Sequence, residues 1–371
     1  TAASILLAVW AHQAGFERRL ACTGSLLFLV NVAHFRAVHH ISALDYPLAA
    51  ALALGALICC GRYFVSTQFR WVIALIVLMS AATMAHLGAS VVLPVCLYWG
   101  FCAGLSLKKH GRALAVVAAV QLPLTAYLLV NSSGDTSTGQ ALLTYGSEDA
   151  TELSLGFWRV LLWLAGRILT TAHWVPMPLY HLATWELYAG AAVLASLLFV
   201  AGRRSAPEAV FACWALLALV PFAIINEQIV LNLPAGPSRY LYLASAGSSL
   251  LLARVLWSVA RRCGRLQEAV FGIVLAALIF SSYVALKRAE AISLYTSARS
   301  YVARNEIITG IERLRQSVAM KSGFIDLGDA YDRLCFLLIG IGDEGTREAL
   351  EAANKRLPNH PKLHIYQQVM R

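Results

Sequence analysis

Long apolar runs, separated by short polar or basic stretches, recur along the first three quarters of the chain. A run of roughly 17–25 apolar residues is long enough to cross the hydrocarbon core of a bilayer as a helix. The pattern therefore predicts an all-α, polytopic bundle of transmembrane helices. We place about ten spans, near residues 1–14, 20–35, 45–64, 71–86, 89–105, 113–130, 183–201, 209–226, 240–257 and 268–287.

Composition supports a membrane location. Of the 371 residues, 59% are hydrophobic and 13% are charged, whereas a soluble globular protein carries about 25% charged residues. The formal net charge of +10 points to no nucleic-acid partner, because membrane proteins concentrate lysine and arginine in their cytoplasmic loops. We therefore expect an integral membrane protein that is embedded in the lipid bilayer.

The basic residues cluster in alternate loops and so predict an orientation. By the positive-inside rule these loops are cytoplasmic, and the other loops are extracytoplasmic, together with the tail after residue 287. An apolar segment near 154–171 does not fit as a transmembrane helix, because counting it would place the basic loop of Arg203 and Arg204 on the extracytoplasmic side. We predict that it is an interfacial helix on the outer surface. The clusters are Arg18 and Arg19; Arg62 and Arg70; Lys108, Lys109 and Arg112; Arg203 and Arg204; and Arg261, Arg262 and Arg265.

The loop count also bears on the start of the chain. Thr1 opens directly into an apolar run, and no Met precedes it. The parity of the loops puts Thr1 outside, so a protein with a cytoplasmic N-terminus would carry one more helix and one more outer loop upstream. We therefore expect residues 1–288 to form a transmembrane domain that is truncated at its N-terminus.

Residues 289–371 are charged and polar enough to form a small, largely helical domain outside the membrane. Within it, the run FIDLGDAY fits the opening W-x2-L-G-x2-Y of a tetratricopeptide repeat. Phe324 takes the place of the tryptophan, and Leu327, Gly328 and Tyr331 match the other marker positions. An unrelated helical hairpin would explain the same pattern.

Ionisable residues at membrane depth are costly and are therefore candidates for function. The densest outer loop holds His34, Arg36, His39, His40 and Asp45. A carboxylate at the membrane surface can act as a general base or orient an acceptor hydroxyl. Asp45 can equally cap the helix that starts near Pro47, or pair with Arg36. The histidines lack the spacing of a metal site, so we expect polar interfacial or phosphate contacts and no divalent metal.

The stretch 237–253 leads from a turn through one arginine and two tyrosines into an apolar helix. Arg239 is suited to hold a phosphate, because its planar guanidinium matches phosphate oxygens. It can also be a snorkelling anchor at headgroup depth. We assign Tyr240 and Tyr242 to the interfacial aromatic belt and include them in the candidate phosphate site.

Further candidates lie elsewhere on the predicted outer side. Glu186 and Glu227 each line a cavity or pair with a cation such as Arg167 or Arg239. We expect His86, near an outer hairpin, to be packed or hydrogen-bonded rather than catalytic. The eight cysteines form no C-x-x-C pair and are expected to be small buried hydrophobes. No cofactor-binding motif stands out, and we expect no cofactor.

Several of these stretches together resemble the GT-C membrane glycosyltransferases. The most similar group is the protein O-mannosyltransferase-like TMTC family with C-terminal tetratricopeptide repeats. Its late motif, approximately ERYLYLPS.G..LLLA, is similar to residues 238–253, with Ala244 in place of the proline. Its early motif HPVHVEAV is similar to residues 31–38, where Arg36 replaces a glutamate. Its SKE..V.LP hairpin is similar to residues 85–94, where the Lys-Glu pair is absent.

The resemblance implies transfer of a sugar from a polyprenyl-phosphate-linked donor to an acceptor, such as a protein hydroxyl, at the extracytoplasmic face. A carboxylate takes the acceptor proton while cations stabilise the leaving phosphate. Arg239 fits the cation role, helped by Arg36, His39 and His40. The family's own catalytic acid belongs to an outer loop that the parity argument puts upstream of this sequence. Asp45 is therefore a candidate base that corresponds to no catalytic residue of the family motifs. The repeat residues would dock the acceptor polypeptide or a partner protein.

Two other functions remain open. The absent acidic positions fit a catalytically inactive membrane scaffold of the same ancestry, which docks partners through its C-terminal domain. A transporter would need inverted repeats or paired broken helices near the midplane, and only the hairpin at 71–105 hints at them. In each case we expect the bacterial inner membrane, or the endoplasmic reticulum membrane of a eukaryote, with the C-terminal domain extracytoplasmic.

Overall fold

The computed structural model describes residues 2–31, 37, 44–132, 150–168, 184–223, 239–322, 325–358, 363, 365 and 366. Within these residues every regular element is a helix, which confirms the predicted all-α class. The chain divides into two units. The bundle unit holds the described residues up to Ser282, and the C-terminal unit holds those from Tyr283 onwards. Each unit is considered by itself.

In its described part the bundle unit consists of α-helices, several of which are joined by short turns. Gly15 and Gly104 make two of these turns with positive φ angles of 99° and 64°, a conformation that glycine adopts without steric cost. Numbered in chain order, the described helices are α1 (Ala2–Gln13), α2 (Arg18–Leu29), α3 (Asp45–Ser66), α4 (Phe69–Ala85), α5 (Val92–Cys102), α6 (Leu107–Ser132), α7 (Ala150–Arg167), α8 (Thr184–Gly202), α9 (Glu208–Ala223), α10 (Tyr242–Arg261) and α11 (Gln267–Ala303). Short 3-10 helices cover Leu87–Val91, Arg239–Leu241 and Gly264–Leu266.

Five described helices are long and apolar enough to cross a membrane. They span Asp45–Ser66, Lys109–Asn131, Trp185–Gly202, Tyr242–Arg261 and Gly264–Ala303. Four shorter apolar helices, of 10–17 residues, cover Ala2–Gln13, Phe69–Ala85, Leu87–Cys102 and Glu208–Ala223. The chain is thus an all-helical protein with several helices suited to an integral membrane location, and the count of ten spans stays a prediction.

The turns that carry the predicted basic clusters meet at one end of the bundle unit, which we call the basic end. Contacts there join the turns α1–α2, α3–α4, α5–α6, α8–α9 and α10–α11, although these turns are far apart in sequence. The contacts are those of Arg19 with Glu268, Gly15 with Pro207, Arg204 with Phe101, and Phe64 with Trp99. This grouping follows the predicted alternation of loops. The side of the membrane that the basic end faces stays a prediction.

Helix α10, which carries most of the 237–253 stretch, lies inside the bundle unit. Every residue from 240 to 250 is buried. Trp214 of α9 donates a hydrogen bond from Nε1 to the Leu243 carbonyl at 2.6 Å. An added Cβ at Gly247 would lie 2.4 Å from the Phe211 carbonyl oxygen, so the two backbones are in direct contact. Small residues permit such close approach in membrane bundles.

Helices α7 and α8 pack antiparallel at very short range. A Cβ added at Gly166 would lie 2.3 Å from the Glu186 carbonyl oxygen, and one added at Gly190 would lie 1.8 Å from the Leu162 carbonyl oxygen. Both glycines are therefore required for this packing. Most described residues from Val160 to the end of α7 are buried. The interfacial placement of the segment 154–171 relative to a membrane stays a prediction.

The cysteines follow the sequence prediction only in part. Cys59, Cys60, Cys96 and Cys335 are buried, as expected of small hydrophobes, and all eight thiols are free. Cys22 and Cys263 are exposed, which corrects the expectation for these two. Cys22 lies on α2, and Cys263 lies in the turn after α10, within the basic cluster of Arg261, Arg262 and Arg265.

The C-terminal unit contains the last part of α11 and three shorter helices, α12 (Ile307–Ala319), α13 (Leu327–Ile341) and α14 (Thr346–Arg356). The Asp326 side chain caps α13 by accepting a hydrogen bond from the Asp329 amide at 3.1 Å. Gly342 ends α13 with φ +67°. Ser317 Oγ donates to the Ala291 carbonyl at 3.0 Å and so joins α12 to α11.

The residues of the predicted repeat motif contribute to the core of the C-terminal unit. Tyr331 is 2% exposed, Gly328 is buried and Leu327 is half-buried. Phe324 lies outside the described residues. Tyr331 and Gly328 therefore contribute to the packing of the unit, while their docking role and the tetratricopeptide assignment stay predictions.

Candidate functional site

Asp45 and His86 are brought together at the end of the bundle unit away from the basic end. Asp45 is the first residue of α3, and His86 directly follows α4. The turn between these two helices lies at the basic end, so both residues lie at the open end of the hairpin. His86 Nε2 lies 3.9 Å from Asp45 Oδ2. This distance is too long for a direct hydrogen bond, and one bridging polar group can span it.

The Asp45 carboxylate does not cap helix α3. Leu44 is the N-cap residue of α3, and it makes no capping hydrogen bond through a side chain. The alternative that Asp45 caps this helix is therefore wrong. Asp45 Oδ1 is buried and has no hydrogen-bond partner among the described residues, whereas the side chain as a whole is 37% exposed. The carboxylate is thus not used for capping and is partly accessible from outside the bundle unit.

His86 is fixed by its own backbone environment. Its Nδ1 accepts a hydrogen bond from the Gly88 amide at 3.0 Å and so caps the 3-10 helix Leu87–Val91. A nitrogen that accepts carries no proton, so the ring proton of neutral His86 lies on Nε2, the atom nearest Asp45. The prediction that His86 is packed or hydrogen-bonded is confirmed.

An aromatic wall surrounds the His86 ring. The Tyr46 ring centre lies 4.1 Å from it, and the Phe222 ring centre lies 5.6 Å from it. Tyr46 and Phe222 are stacked at 6.1 Å, and Phe222 contacts Tyr240 at 5.3 Å. The wall thus connects the end of α3 and the end of α9 with the short 3-10 helix that precedes α10.

Arg239 begins that 3-10 helix, Arg239–Leu241, so its backbone adjoins the aromatic wall. Tyr240 and Tyr242 are 6% and 5% exposed, and Tyr242 packs on Phe28 with ring centres 5.4 Å apart. The two tyrosines therefore lie inside the bundle unit and not in a lipid-facing belt. Their assignment to an interfacial belt is corrected, because Tyr240 packs on Phe222 and both tyrosines are covered by neighbouring helices.

Glu186 forms a buried ion pair with Arg167, one of the two cations that the sequence offered as partners. Arg167 Nη2 donates to Glu186 Oε2 at 3.1 Å. Arg167 Nε lies 3.0 Å from Oε1, although it lacks the angle of a hydrogen bond. The side chains are 1% and 0% exposed, and the guanidinium lies 5.1 Å from the ring centre of Trp163. This pairing occupies Glu186 and favours a structural role.

Several predicted site residues lie outside the described residues. They are His34, Arg36, His39, His40 and Glu227, so their part in a phosphate site stays a prediction. Within the described ranges, no group of three or more His, Cys, Asp or Glu residues could hold a metal ion. That finding does not extend to the histidine-rich loop.

Sequence reasoning ranked His86 as a packed residue and overlooked its proximity to Asp45. The parity of the basic loops contained the necessary signal, because it put Asp45 and His86 on the same side. Comparison of the chain with models of protein families, with curated proteins and with solved structures finds no match.

Proposed function

We propose that the protein is a membrane glycosyltransferase that moves a sugar from a polyprenyl-phosphate-linked donor to an acceptor hydroxyl. The observation that carries this proposal is the approach of Asp45 to His86 at the end opposite the basic end. The aromatic wall connects that pair to Tyr240, the neighbour of Arg239 in the chain. A carboxylate and the arginine of the 237–253 stretch thus belong to adjoining elements.

The roles follow from charge. Asp45 takes the proton of the acceptor hydroxyl, and the resulting oxygen attacks the sugar carbon. The bond from that carbon to the phosphate oxygen breaks, and negative charge develops on the polyprenyl phosphate. Arg239 stabilises this charge, with Arg36, His39 and His40 as further donors. The reaction requires no redox cofactor, and we assign no metal to it.

Sugar transfer can be measured on the purified protein in lipid nanodiscs. Polyprenyl-phosphate [3H]mannose serves as donor, and serine- and threonine-containing peptides or water serve as acceptor. We expect Arg239→Ala to lower turnover at least about 100-fold, because removing one donor to a developing oxyanion costs that much. Arg265→Ala, at the basic end, is the matched control and should transfer at the wild-type rate.

Two different results of this assay would contradict two different parts of the proposal. Wild-type turnover by Arg239→Ala would remove this arginine from the mechanism. Absence of transfer by the wild-type protein with mannose, glucose and N-acetylglucosamine donors would rule out the transferase.

A scaffold function is the second candidate, and it draws on a groove of the C-terminal unit. The groove has a volume of about 560 Å³ and is lined by Asp329, Asp332, Arg333, Phe336, Ile365 and Tyr366. Phe336 is 65% exposed and Ile365 is 57% exposed, and exposed apolar side chains around a groove are typical of interaction sites. A scaffold would lose function on Phe336→Glu and keep it on Arg239→Ala, which is the reverse of the transferase result.

A further inference from the structure

The His86 imidazole is held in a single orientation from two sides. On one side, the Gly88 amide donates to Nδ1 at 3.0 Å. On the other, the rings of Tyr46 and Phe222 contact the imidazole. Gly88 itself packs closely against both rings, because an added Cβ there would lie 2.9 Å from Nδ1 and 3.0 Å from the end of the Phe222 ring.

This orientation decides what His86 can do chemically. Its Nδ1 lone pair is already used by the Gly88 amide, and its Nε2 carries the proton. In this state His86 cannot accept a proton at Nε2, and it can only donate a hydrogen bond there. Among the described residues, Nε2 lies 3.9 Å from Oδ2 of Asp45. The second oxygen of that carboxylate, Oδ1, has no partner among the described residues.

We propose that His86 is a positioning residue, which holds the Asp45 carboxylate in place as this carboxylate receives the acceptor proton. This inference rests on the proposed transferase function. The hydroxyl proton moves to the Asp45 carboxylate, the hydroxyl oxygen bonds to the sugar carbon, and the phosphate leaves with the electron pair of the broken bond. His86 keeps its Nε2 proton throughout and directs Asp45 through Oδ2, by way of one bridging polar group.

Two substitutions of His86 separate positioning from a structural role. The amide oxygen of His86→Asn replaces Nδ1 as acceptor for Gly88 but provides no donor in the place of Nε2. The amide N–H of His86→Gln reaches the place of Nε2 but loses the acceptor for Gly88. Positioning predicts that Asn lowers kcat about 100-fold with an unchanged KM for the donor, while Gln stays within about tenfold of wild type. A purely structural role predicts the opposite order, with Asn the better variant.

Two results would overturn the proposal in an active enzyme. One is a kcat for His86→Asn equal to that of the wild type, at equal thermal stability of the purified proteins. The other comes from 15N NMR of histidine-labelled protein in lipid, in which subtracting the His86→Gln spectrum isolates His86. We expect an Nε2–H tautomer with unprotonated Nδ1, and a signal from an Nδ1–H tautomer or an imidazolium would contradict it.

The same measurements distinguish this proposal from the proposed function. Absence of transfer by the wild-type protein would remove the transferase and with it the role of His86. Transfer by the wild type together with the wrong tautomer, or with a fully active Asn variant, would leave the transferase in place and remove positioning by His86 alone.

Discussion

The buried Arg167–Glu186 ion pair allows a direct test of how a buried charge affects the stability of the bundle unit. The substitution Arg167→Met keeps the length of the side chain and removes its charge, which leaves the Glu186 carboxylate buried without this cation. The double variant Arg167→Met/Glu186→Met removes both charges and fills the site with apolar atoms. The comparison therefore measures the cost of removing this cation from the buried carboxylate, separately from the loss of packing.

The expected magnitude follows from burial. Both side chains are at most 1% exposed, with nitrogen–oxygen distances of 3.0 and 3.1 Å. Removing one partner of such a pair costs about 3–5 kcal/mol, whereas replacing both by apolar groups is often neutral or stabilising. Since about 1.36 kcal/mol corresponds to a tenfold change, the single variant should shift the unfolding equilibrium more than about 100-fold. The double variant should recover most of that loss.

The assay is reversible unfolding in mixed micelles, in which the sodium dodecyl sulfate fraction is raised and helix loss is followed by circular dichroism. Arg265→Met, an exposed arginine at the basic end, is the control and should change the free energy of unfolding by less than about 0.5 kcal/mol. A loss below about 1 kcal/mol for Arg167→Met would refute the reasoning. So would a double variant whose loss of stability equals the sum of the losses in Arg167→Met and Glu186→Met.

Two further predictions concern close packing and thiol chemistry. Gly190→Ala should destabilise the bundle unit by at least about 2 kcal/mol, because its Cβ would lie 1.8 Å from the Leu162 carbonyl oxygen. Gly272→Ala, with nothing within 4 Å, should stabilise helix α11 by about 0.5–1 kcal/mol, as measured in the same micelle assay. Burial raises the pKa of Cys335 from 9.0 to about 11, so iodoacetamide at pH 8 should alkylate exposed Cys22 first. Mass spectrometry should show Cys335 labelling that rises with pH towards 11, and equal rates at pH 8 would contradict this assignment. Because the folded state holds this proton more tightly, the Cys335 contribution to stability is complete below pH 9 and is lost as the pH rises towards 11.

The sequence predicts which turns lie at the same end of the bundle better than it predicts which side chains are buried inside it. The basic turns could be grouped because the distribution of lysine and arginine follows membrane sidedness, and the structure gathers those turns at one end. The same parity put Asp45 and His86 on one side. Burial was harder to predict, because lipid tails are as apolar as leucine, so hydrophobicity alone does not separate lipid-facing from protein-facing positions.

Tyr240 and Tyr242 show this limit. Next to an arginine they match the composition of an interfacial belt, yet both face neighbouring helices. The Arg167–Glu186 pair shows a second limit. The sequence named Arg167 as one of two possible cations for Glu186, and only the packing of α7 against α8 selected it. The distance from His86 to Asp45 depends likewise on the hairpin of α3 and α4 and on no local signal.

The burial of α10 has a consequence for biogenesis. Among the five candidate spans it has the lowest mean hydropathy and the largest buried share, since serines and a glycine occupy positions that neighbouring helices cover. A helix of this composition partitions weakly into lipid by itself. Its main neighbours, α2 and α9, precede it in the chain and are therefore already synthesised when it emerges from the ribosome. We expect α10 to enter the membrane against these helices, so that the order of synthesis becomes part of how the bundle forms.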